Sequence, residues 1–451
     1  MRVRLLVVGS LGSALFLASC AIGPARPTST LANPDGHDSP YASQTLKAEF
    51  SPSNPTVTVD ATTGYHRTFT LENWDDGGEL SHFVYLHTSQ FFRTAVIHRQ
   101  GPVSKLEYHL DPSIGQFVIE NMEGHEATLD EYMESAPLDG FIILHHGRIV
   151  YERYPRMRSL DKHLLFSVTK AFIGTLVSIL EDRGLIDVSR SIDQYIPELR
   201  KTAWEGISVL DILDMSSGIE GHEIGAPFTD PVHKHYQMEA SLGWLPITDA
   251  MPQSVIDGDT YAFLITLERR REPGTRWEYT SINTTMLGWL IERVTGKPMA
   301  TLLSEEIWSR MGAEADAMIV VNRNGLGIAH AGMATTLRDL ARFGLLFTES
   351  WRLVSEERII SDSHLSRITE GGRPHLLGEK HSAEMRHATR QWDEVTNGGS
   401  FCKDGFAGQR LWIAPRNDVV IAYLGTNESL RPEDAVELPL CKMTAVLFPE
   451  E

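Results

Sequence analysis

Cysteine and positive charge are both scarce in this sequence. Its 451 residues include only 3 cysteines, which stand too far apart for the paired spacing of zinc sites. Lysine and arginine total 41 against 60 aspartates and glutamates, which gives a formal net charge of −19. A chain with this balance has no basic patch for nucleic acid or for anionic lipid headgroups. We therefore expect no nucleic-acid partner and no metal, and no motif indicates a cofactor.

The apolar run at the N-terminus is too short to span a membrane comfortably. It covers residues 5–16 and follows the positively charged Arg2 and Arg4, an arrangement typical of an export signal. The run leads into Leu-Ala-Ser-Cys, which resembles the lipobox of bacterial lipoproteins. This resemblance implies a signal peptide over residues 1–19 and lipidation of Cys20.

A lipid anchor at Cys20 implies a place in the bacterial cell envelope. Residues 20–45 are rich in proline, serine and threonine, which predicts a flexible tether between the anchor and the folded chain. Ala21 stands where an aspartate often marks inner-membrane retention, so the resemblance favours the periplasmic face of the outer membrane. A plain secretory signal is the alternative. Export also permits a disulfide between Cys402 and Cys441, which the sequence leaves open.

The stretch from residue 166 to residue 180 has apolar residues at helical spacing, which predicts a buried helix ended by Gly184. Ser167 stands at or just inside the helix start, and Lys170 follows one turn later on the same face. A serine hydroxyl is a poor nucleophile without a base within hydrogen-bond reach. A lysine desolvated by an apolar helix has a lowered pKa and can act as that base. The alternative is an ordinary helix cap with a solvated lysine.

The pattern Ser-x-x-Lys is weak by itself, because it also occurs at residues 159–162 and 400–403. Neither of those serines opens a long apolar helix, whereas Ser167 does. The helix therefore singles out Ser167 and Lys170 as the candidate nucleophile and base.

A second informative stretch covers residues 273–281 and leads into a helix closed by Gly296. Tyr279 stands in the turn before that helix, where a phenol can project into a cleft. Beside a cationic lysine, a tyrosine loses or relays a proton more easily than its usual pKa of about 10 implies. Tyr279 is therefore a candidate for proton transfer, against the alternative of a structural aromatic residue.

A third stretch, residues 403–424, predicts a strand–turn–strand hairpin near the C-terminus. Gly405 lies in its first strand, where a glycine lets another backbone or a substrate approach closely. The N–H of Phe406 is then placed to face Ser167 as an oxyanion donor.

The remaining segments lead to structural predictions. These are a strand at residues 56–59, a hairpin with a histidine turn at 141–151, an irregular loop at 221–257 that rims or covers a site, and a capped helix at 334–345 with a solvated or salt-bridged polar face.

The three motifs, in chain order, resemble those of the penicillin-recognising serine hydrolases, which include class C β-lactamases, DD-peptidases and related esterases. They are Ser167-x-x-Lys170, Tyr279-x-Ser281 and Lys403-x-Gly405. Blocks elsewhere are most similar to the 6-aminohexanoate-dimer hydrolase branch. They cover residues 73–98, 141–154, 163–187, 273–296, 332–346 and 405–425.

This resemblance implies an α/β (α+β) fold of the β-lactamase/transpeptidase-like type. An antiparallel sheet is expected to be flanked by helices, with an inserted helical region at about 172–345. The hydrolase domain is expected over residues 136–451. Residues 46–135 are expected to form an N-terminal extension that packs on the catalytic domain.

By the same resemblance, Ser167 is the acylated nucleophile and Lys170 is its base. Tyr279 is expected to pass a proton to the leaving group and later to help activate the hydrolytic water. No cofactor enters this scheme.

The resemblance also implies a set of oxyanion and substrate-binding groups. The backbone N–H groups of Ser167 and Phe406 are expected to form the oxyanion hole. Lys403 is expected to support the electrostatics of the site, and Gly405 and Ser281 to lie beside the substrate.

Two departures from class C β-lactamases weaken a β-lactam function. Ser281 replaces the asparagine of the tyrosine motif, and Asn283 stands two residues late. Asp404 replaces the threonine or serine between lysine and glycine, so a negative charge is expected near a substrate carboxylate. The leading prediction is a serine hydrolase that cleaves carboxylic esters or small amides. The alternatives are a β-lactamase or D,D-peptidase, and a non-catalytic envelope lipoprotein.

Overall fold

The structure is a computed structural model that describes residues 58–120, 126–225, 229–378, 382–428 and 438–450. The predicted signal peptide (1–19), the predicted tether (20–45) and Cys20 lie outside the described residues. Within the described ranges, no helix is both long enough and apolar enough to cross a membrane.

The described part of the chain contains thirteen strands in three sheets. They are β1 (Thr94–Ile97), β2 (Val118–Glu120), β3 (Glu126–Thr128), β4 (Leu138–His145), β5 (Arg148–Arg153), β6 (His163–Leu164), β7 (Ala317–Val320), β8 (Met333–Thr335), β9 (Met385–Thr389), β10 (Trp392–Thr396), β11 (Phe401–Gly405), β12 (Gln409–Ala414) and β13 (Val419–Gly425). The largest sheet has the order β5-β4-β13-β12-β11-β10-β9, and every neighbouring pair is antiparallel. Two smaller sheets have the orders β1-β7-β8-β6 and β2-β3.

Fifteen α-helices lie in the same described ranges. They are α1 (Val59–Thr68), α2 (Gly78–Leu86), α3 (Thr88–Phe91), α4 (Pro112–Gly115), α5 (Leu129–Ser135), α6 (Thr169–Asp182), α7 (Val209–Leu213), α8 (Lys234–Leu242), α9 (Gln253–Ile256), α10 (Thr260–Ile265), α11 (Ser281–Thr295), α12 (Met299–Leu303), α13 (Leu337–Leu345), α14 (Asp362–Thr369) and α15 (Leu440–Leu447). Shorter helical turns cover Phe166–Val168, Ile192–Gln194, Pro197–Leu199, Ser304–Trp308, Glu349–Leu353, Pro374–Leu376 and Pro415–Asn417.

Both faces of the largest sheet are buried, as successive residues of β4 demonstrate. Ile142 and Leu144 belong to the core that contains α6, α11 and α13. Phe141 and Ile143 point the other way and pack into a second core with α5 and α15. The sheet is thus covered by helices on both sides, which confirms the predicted fold class. The predicted hairpin is also confirmed, because β4 and β5 are joined at His146 and Gly147, which have φ values of 48° and 68°.

Helix α6 lies inside the larger core, with residues 169–180 all buried. A helix that is apolar nearly all round has no solvent face, so this burial follows from the sequence. Gly184 follows the helix with a φ of 70°, which confirms the predicted glycine end. A Cβ at Gly174 would collide with the carbonyl oxygen of Arg390, so α6 packs directly on the turn between β9 and β10.

Two predictions outside the site need correction. A strand was predicted at residues 56–59; residues 56 and 57 lie outside the described residues, and Val59 begins α1 because the Thr58 hydroxyl caps the first turn of that helix. Residues 221–257 were predicted to be irregular but contain α8 and α9. The polar face of α13 is salt-bridged, which is one of the two predicted alternatives, since Asp339 and Arg342 are buried and pair at 2.9 Å.

Residues from the predicted N-terminal extension contact the rest of the chain through backbone pairing. Strand β1 pairs with β7, with Thr94 opposite Val320. Tyr108 forms an isolated bridge with Ile149. The boundary at residue 135 stays a prediction.

The two described cysteines, Cys402 and Cys441, are both free thiols. Cys402 is buried in β11, and Cys441 is half-buried in α15. Both belong to the second core, so apolar packing rather than a disulfide joins α15 to the sheet.

Asp139 joins several elements around the Ser167 segment from a fully buried position. Its carboxylate accepts hydrogen bonds from His163 Nε2 at 3.0 Å and from Thr426 Oγ1 at 2.7 Å. Arg156 Nε lies 2.9 Å away and His82 Nε2 lies 3.1 Å away. Burial alone raises a carboxyl pKa, but these partners hold the pKa of Asp139 well below its ordinary value. One carboxylate therefore links β4, β6, α2 and the segment after β13.

Replacing Asp139 with alanine is expected to destabilise the protein strongly. The variant removes the acceptor of the buried His163 and Thr426 donors and one of the two carboxylates that pair with Arg156, and breaking a buried network of this kind costs about 3–5 kcal/mol. Urea denaturation should show a free energy of unfolding that is lower by about that amount. The exposed Glu356→Ala is the control and should stay within about 0.5 kcal/mol of the parent. Equal effects from both variants would contradict the anchoring role of Asp139.

Candidate active site

Ser167 lies in the middle of a single helical turn, Phe166–Val168, that leads directly into α6. It is half-buried, whereas its neighbours on both sides are buried. Phe166 has a φ of 45°, a left-handed conformation that costs free energy for a bulky side chain. The structure therefore places the serine just before α6, on a strained turn at the N-terminal end of that helix.

Aromatic side chains hold the strained Phe166 in place. Its ring stacks on Trp74 with centroids 6.0 Å apart and meets the Tyr85 ring edge-on at 4.8 Å. Phe406 contacts it at 5.3 Å and Trp244 at 6.2 Å, both edge-on. Aromatic pairs of this kind contribute about 0.5–1.5 kcal/mol each beyond simple burial, which offsets the backbone strain.

Gly405 brings strand β11 against the backbone just before Ser167. A Cβ at this position would lie 2.6 Å from the carbonyl oxygen of Leu165 and 2.8 Å from the Cβ of Gln409. Only glycine fits without a shift of one of these groups. This agrees with the predicted close approach, and it carries Lys403 and Phe406 to the Ser167 turn.

Lys170 lies fully buried one turn after the serine. Its Nζ donates to Ser167 Oγ at 2.8 Å and to the His330 carbonyl at 3.1 Å. Burial lowers the pKa of Lys170 to about 7, and the nearby charge of Lys403 lowers it as well. The carboxylates of Glu223, Asp393 and Glu239 act in the opposite direction. The amine is therefore neutral in a large fraction of molecules near neutral pH.

Tyr279 lies between two lysines in the buried part of the site. Lys403 Nζ donates to its phenol oxygen at 3.2 Å, and a side-chain hydrogen bond links Tyr279 with Ser167. The Nζ atoms of Lys170 and Lys403 lie 5.0 Å and 4.8 Å from the ring centroid.

The expected ease of proton loss from Tyr279 was wrong. Burial, together with the carboxylates of Asp393 and Glu223, raises the pKa of the phenol well above its ordinary value. The free site therefore holds Tyr279 protonated, which suits a proton donor rather than a base.

Asp393 is a site residue that the sequence did not reveal. It lies buried on β10, where its carboxylate binds the Lys403 ammonium and accepts the Asp404 N–H at 3.1 Å. This contact fixes the Lys403 side chain beside the phenol of Tyr279. Nothing in the sequence indicated this role, because Asp393 follows Trp392 in a strand and belongs to no recognisable motif.

The charge of Asp404 is compensated within the hairpin. Asp404 and Arg410 are directly opposite each other on β11 and β12, and the guanidinium binds both carboxylate oxygens. The negative charge expected near a substrate carboxylate is thus paired with a cation.

The predicted substrate-binding residue Ser281 is buried at the start of α11. Its N–H donates to Glu223, and its carbonyl accepts from the Thr285 hydroxyl at 3.0 Å. Asn283 is also buried, with its side-chain oxygen bound to the Ser217 hydroxyl at 2.6 Å. These contacts fix the helix start to the preceding loops, so the substrate roles of Ser281 and Phe406 stay predictions.

The other occurrences of the Ser-x-x-Lys pattern have different geometry. Ser400 precedes strand β11, so Lys403 extends along a strand and binds Asp393 instead. Ser159 lies in a turn before β6. In the described part of the chain, no cluster of three or more histidine, cysteine or acidic side chains is placed to hold a metal ion.

A sequence model of the family described as Beta-lactamase matches residues 125–440, which is more than half of the chain. The chain belongs to the beta-lactamase family. It is a serine hydrolase, and the resemblance inferred from its motifs is confirmed.

Two curated relatives extend the family assignment. The 6-aminohexanoate-dimer hydrolase of Paenarthrobacter ureafaciens is 31% identical over 363 residues, which cover 79% of this chain and 88% of that protein. Esterase EstB of Burkholderia gladioli is 25% identical over 203 residues, which cover 42% of this chain and 49% of the esterase.

A solved structure from Bacillus anthracis, assigned to the 6-aminohexanoate-dimer hydrolases, shares the fold. It superposes with a TM-score of 0.70 at 24% identity and covers 85% of this chain and 96% of its own. The share of the chain that both matches cover shows that the similarity extends well beyond the three motifs.

Gly405→Ala should disturb the active site of this beta-lactamase-family hydrolase. The added Cβ forces β11 away from Leu165, and overpacking of this kind costs about 1–3 kcal/mol. Displacement of the site by even about 1 Å should slow fluorophosphonate labelling of Ser167 by roughly 10- to 100-fold, measured by intact-protein mass spectrometry.

Gly398→Ala is the matched control, in the exposed turn between β10 and β11. Its Cβ would meet only the Thr396 hydroxyl oxygen, at an ordinary 3.7 Å. The labelling rate of this variant should equal that of the parent. Parent-like labelling by Gly405→Ala would show that the close approach of β11 does not position Ser167.

Proposed function

We propose that this enzyme cleaves carboxylic esters or small amides through an acyl-serine intermediate on Ser167. The observation that carries the proposal is the buried Lys170 amine, 2.8 Å from the Oγ of a half-buried serine. A serine hydroxyl needs a base within this distance, and a desolvated amine with a pKa of about 7 meets that need near neutral pH.

In the acylation step, neutral Lys170 takes the proton of Ser167 as Oγ attacks the substrate carbonyl carbon. The tetrahedral intermediate collapses with cleavage of the bond to the leaving oxygen or nitrogen. Tyr279, which is protonated in the free site, gives its proton to that leaving group. Lys403, held by Asp393, stabilises the phenolate that remains.

In the deacylation step, a water molecule replaces the leaving group. The Tyr279 phenolate removes a proton from this water as the oxygen attacks the acyl carbon. Protonated Lys170 then returns its proton to Ser167 Oγ when the ester bond breaks, and the acid product leaves. Each group ends in the protonation state in which it began.

The developing oxyanion requires donors at the Ser167 turn. The N–H groups of Ser167 and Phe406 are proposed for this role, because Gly405 lets β11 run against the Ser167 segment. Removing one such donor typically costs about 10²- to 10³-fold in rate.

Esters and linear amides are favoured over β-lactams as substrates. The names of two relatives support this choice, since one is a 6-aminohexanoate-dimer hydrolase and the other an esterase. The asparagine typical of class C β-lactamases is replaced by Ser281, and the nearby Asn283 is bound to Ser217. Asp404 also stands where class C β-lactamases have a threonine or serine.

Ser167→Ala should abolish hydrolysis of p-nitrophenyl butyrate and leave the protein folded. The variant removes the nucleophile but no buried contact larger than one hydroxyl, so the melting temperature should change little. Activity is measured by p-nitrophenol release. Ser400→Ala is the control at a serine with the same motif and should keep parental activity. Turnover retained by Ser167→Ala would refute the proposal.

The same enzyme preparation distinguishes the substrate classes. Hydrolysis of linear amides of 6-aminohexanoate is measured in parallel with that of the ester. The protein is also incubated with a penicillin-type probe, and its intact mass is measured to detect labelling. Stable labelling or rapid turnover of the penicillin-type probe, with no activity on esters or amides, would favour the β-lactamase or D,D-peptidase alternative.

We also propose that Cys20 is lipidated and anchors the enzyme at the periplasmic face of the outer membrane. The lipobox-like Leu17-Ala18-Ser19-Cys20 and the following tether composition support this proposal.

When the full chain is expressed in a Gram-negative bacterium, the parent should fractionate with the outer membrane. Cys20→Ala should not, and Cys441→Ala should behave like the parent. An identical distribution of Cys20→Ala and the parent would reject the lipid anchor.

A further inference from the structure

Four buried ionisable side chains near Lys170 take no part in the proposed mechanism. They are Glu223, His235, Glu239 and His330, all less than 8% exposed, and they are called the acid–imidazole cluster below. They come from the loop before α8, from α8 itself and from the segment before β8. Burying so many ionisable groups is costly unless they are paired, so their mutual contacts need an explanation.

Glu239 lies at the centre of the acid–imidazole cluster. His330 Nε2 is 2.7 Å from Glu239 Oε1, and His235 Nε2 is 3.6 Å from the same oxygen. The other ring nitrogen of His235, Nδ1, is 3.4 Å from Glu223 Oε1. One imidazole thus lies between the two carboxylates, and the other is held by Glu239.

The cluster contacts the catalytic segments at two points. The His330 carbonyl accepts the hydrogen bond from Lys170 Nζ at 3.1 Å. The Glu223 N–H donates to the Tyr279 carbonyl at 3.0 Å, and its carboxylate accepts the Ser281 N–H. The groups that hold the cluster together therefore also hold the backbone around Lys170 and Tyr279.

Charge as well as geometry connects the cluster to Lys170. Glu223, Glu239 and Asp393 favour the ammonium form of Lys170, and Lys403 opposes it. The titratable groups that act on Glu239 are His235, Glu223 and Lys170, and the His330 ring is in direct contact with it.

Burial shifts the pKa values of the acid–imidazole cluster in different directions. It raises the pKa of Glu239 to about 7, with a further contribution from Glu223, and it lowers the pKa of His330 well below its ordinary value. Burial also acts to raise the pKa of Glu223, but His235 and Lys170 hold that pKa below its ordinary value. Glu223 is thus a fixed negative charge, whereas Glu239 changes charge in the same pH range as Lys170.

We propose that Glu239 and His330 are positioning residues for Lys170: the Glu239 carboxylate lies against the His330 imidazole, the His330 carbonyl accepts a hydrogen bond from the Lys170 amine, and the charge on Glu239 shifts the pH range in which that amine is neutral. This inference rests on the proposed role of Lys170 as the base for Ser167.

The titrations of Glu239 and Lys170 oppose each other. When the pH rises through about 7, Glu239 loses its proton and becomes negative. That charge favours the ammonium form of Lys170, so the lysine proton is then harder to remove. The fraction of neutral Lys170, and with it kcat/KM, should rise over a wider pH interval than one independent group gives.

The test is the pH dependence of kcat/KM for p-nitrophenyl butyrate from about pH 5 to about pH 9, the range in which groups near neutrality titrate. The parent should show a broad rise. Glu239→Gln should give the steeper profile of one group, with a midpoint lower by roughly half to one pH unit, because the charge that retained the lysine proton is gone. Glu239→Asp keeps the carboxylate and should keep the broad profile.

Glu292→Gln is the control for removing a buried carboxylate elsewhere. Glu292 lies half-buried on α11, burial raises its pKa, and its partners are Tyr261 and Met299. It is not among the charges that act on Lys170. Its pH profile should match that of the parent.

A second variant, His330→Gln, tests whether the contact between Glu239 and His330 positions Lys170. It removes the imidazole that contacts Glu239, so the His330 carbonyl should be held less firmly at the Lys170 amine and kcat/KM should fall several-fold. The melting temperature of the variant is measured as well, to show that it is folded. A parental pH profile in folded Glu239→Gln, or a parental kcat/KM in folded His330→Gln, would overturn the inference.

Lys170→Met separates the two proposals. Loss of activity in Lys170→Met, together with a parental profile in Glu239→Gln, rejects only the positioning role. Retained activity in Lys170→Met rejects the proposed base and the positioning role together.

Discussion

The contact between the buried Lys170 amine and the Ser167 hydroxyl is the constraint on which the rest of the site depends. An ammonium withdrawn from water is costly, so the amine must either lose its proton or be surrounded by compensating groups. Here it does both in part, since its pKa falls to about 7 while three carboxylates limit the fall. The His330 carbonyl takes one of its hydrogen bonds and Ser167 Oγ takes another. Lys170 can thus act as a base near neutral pH while its amine stays buried and hydrogen-bonded.

This contact requires the chain to come together from distant positions. Helix α6 supplies Lys170, strand β11 supplies Lys403 and the turn before α11 supplies Tyr279. Two glycines make the approach possible, because a Cβ at Gly174 would meet the β9–β10 turn and one at Gly405 would meet the Leu165 carbonyl. The large helix-covered sheet holds these segments rigidly, so the geometry of the site is a consequence of core packing.

Local sequence patterns predicted the elements that carry the site, but not the groups behind them. The α6 helix, its glycine end and the Ser167–Lys170 contact follow from helical periodicity, which acts over a few residues. Glu239 and His330 are 91 residues apart in the chain, and neither stands in a motif. Their proximity is a property of the folded chain alone. The strand predicted at Val59 failed because the capping hydroxyl of Thr58 outweighs the β propensity of its neighbours.

A single physical cause gives Lys170 and Tyr279 complementary roles in the proposed mechanism. Burial disfavours the charged form of any group, so it lowers the pKa of the amine and raises the pKa of the phenol. The same dry site therefore prepares a neutral proton acceptor beside Ser167 and a neutral proton donor for the leaving group. Lys403 differs from Lys170 in its partner, because its Nζ contacts the Asp393 carboxylate and donates to the phenol oxygen of Tyr279. Burial thus directs both proton transfers of the proposed acylation step, from Ser167 to Lys170 and from Tyr279 to the leaving group.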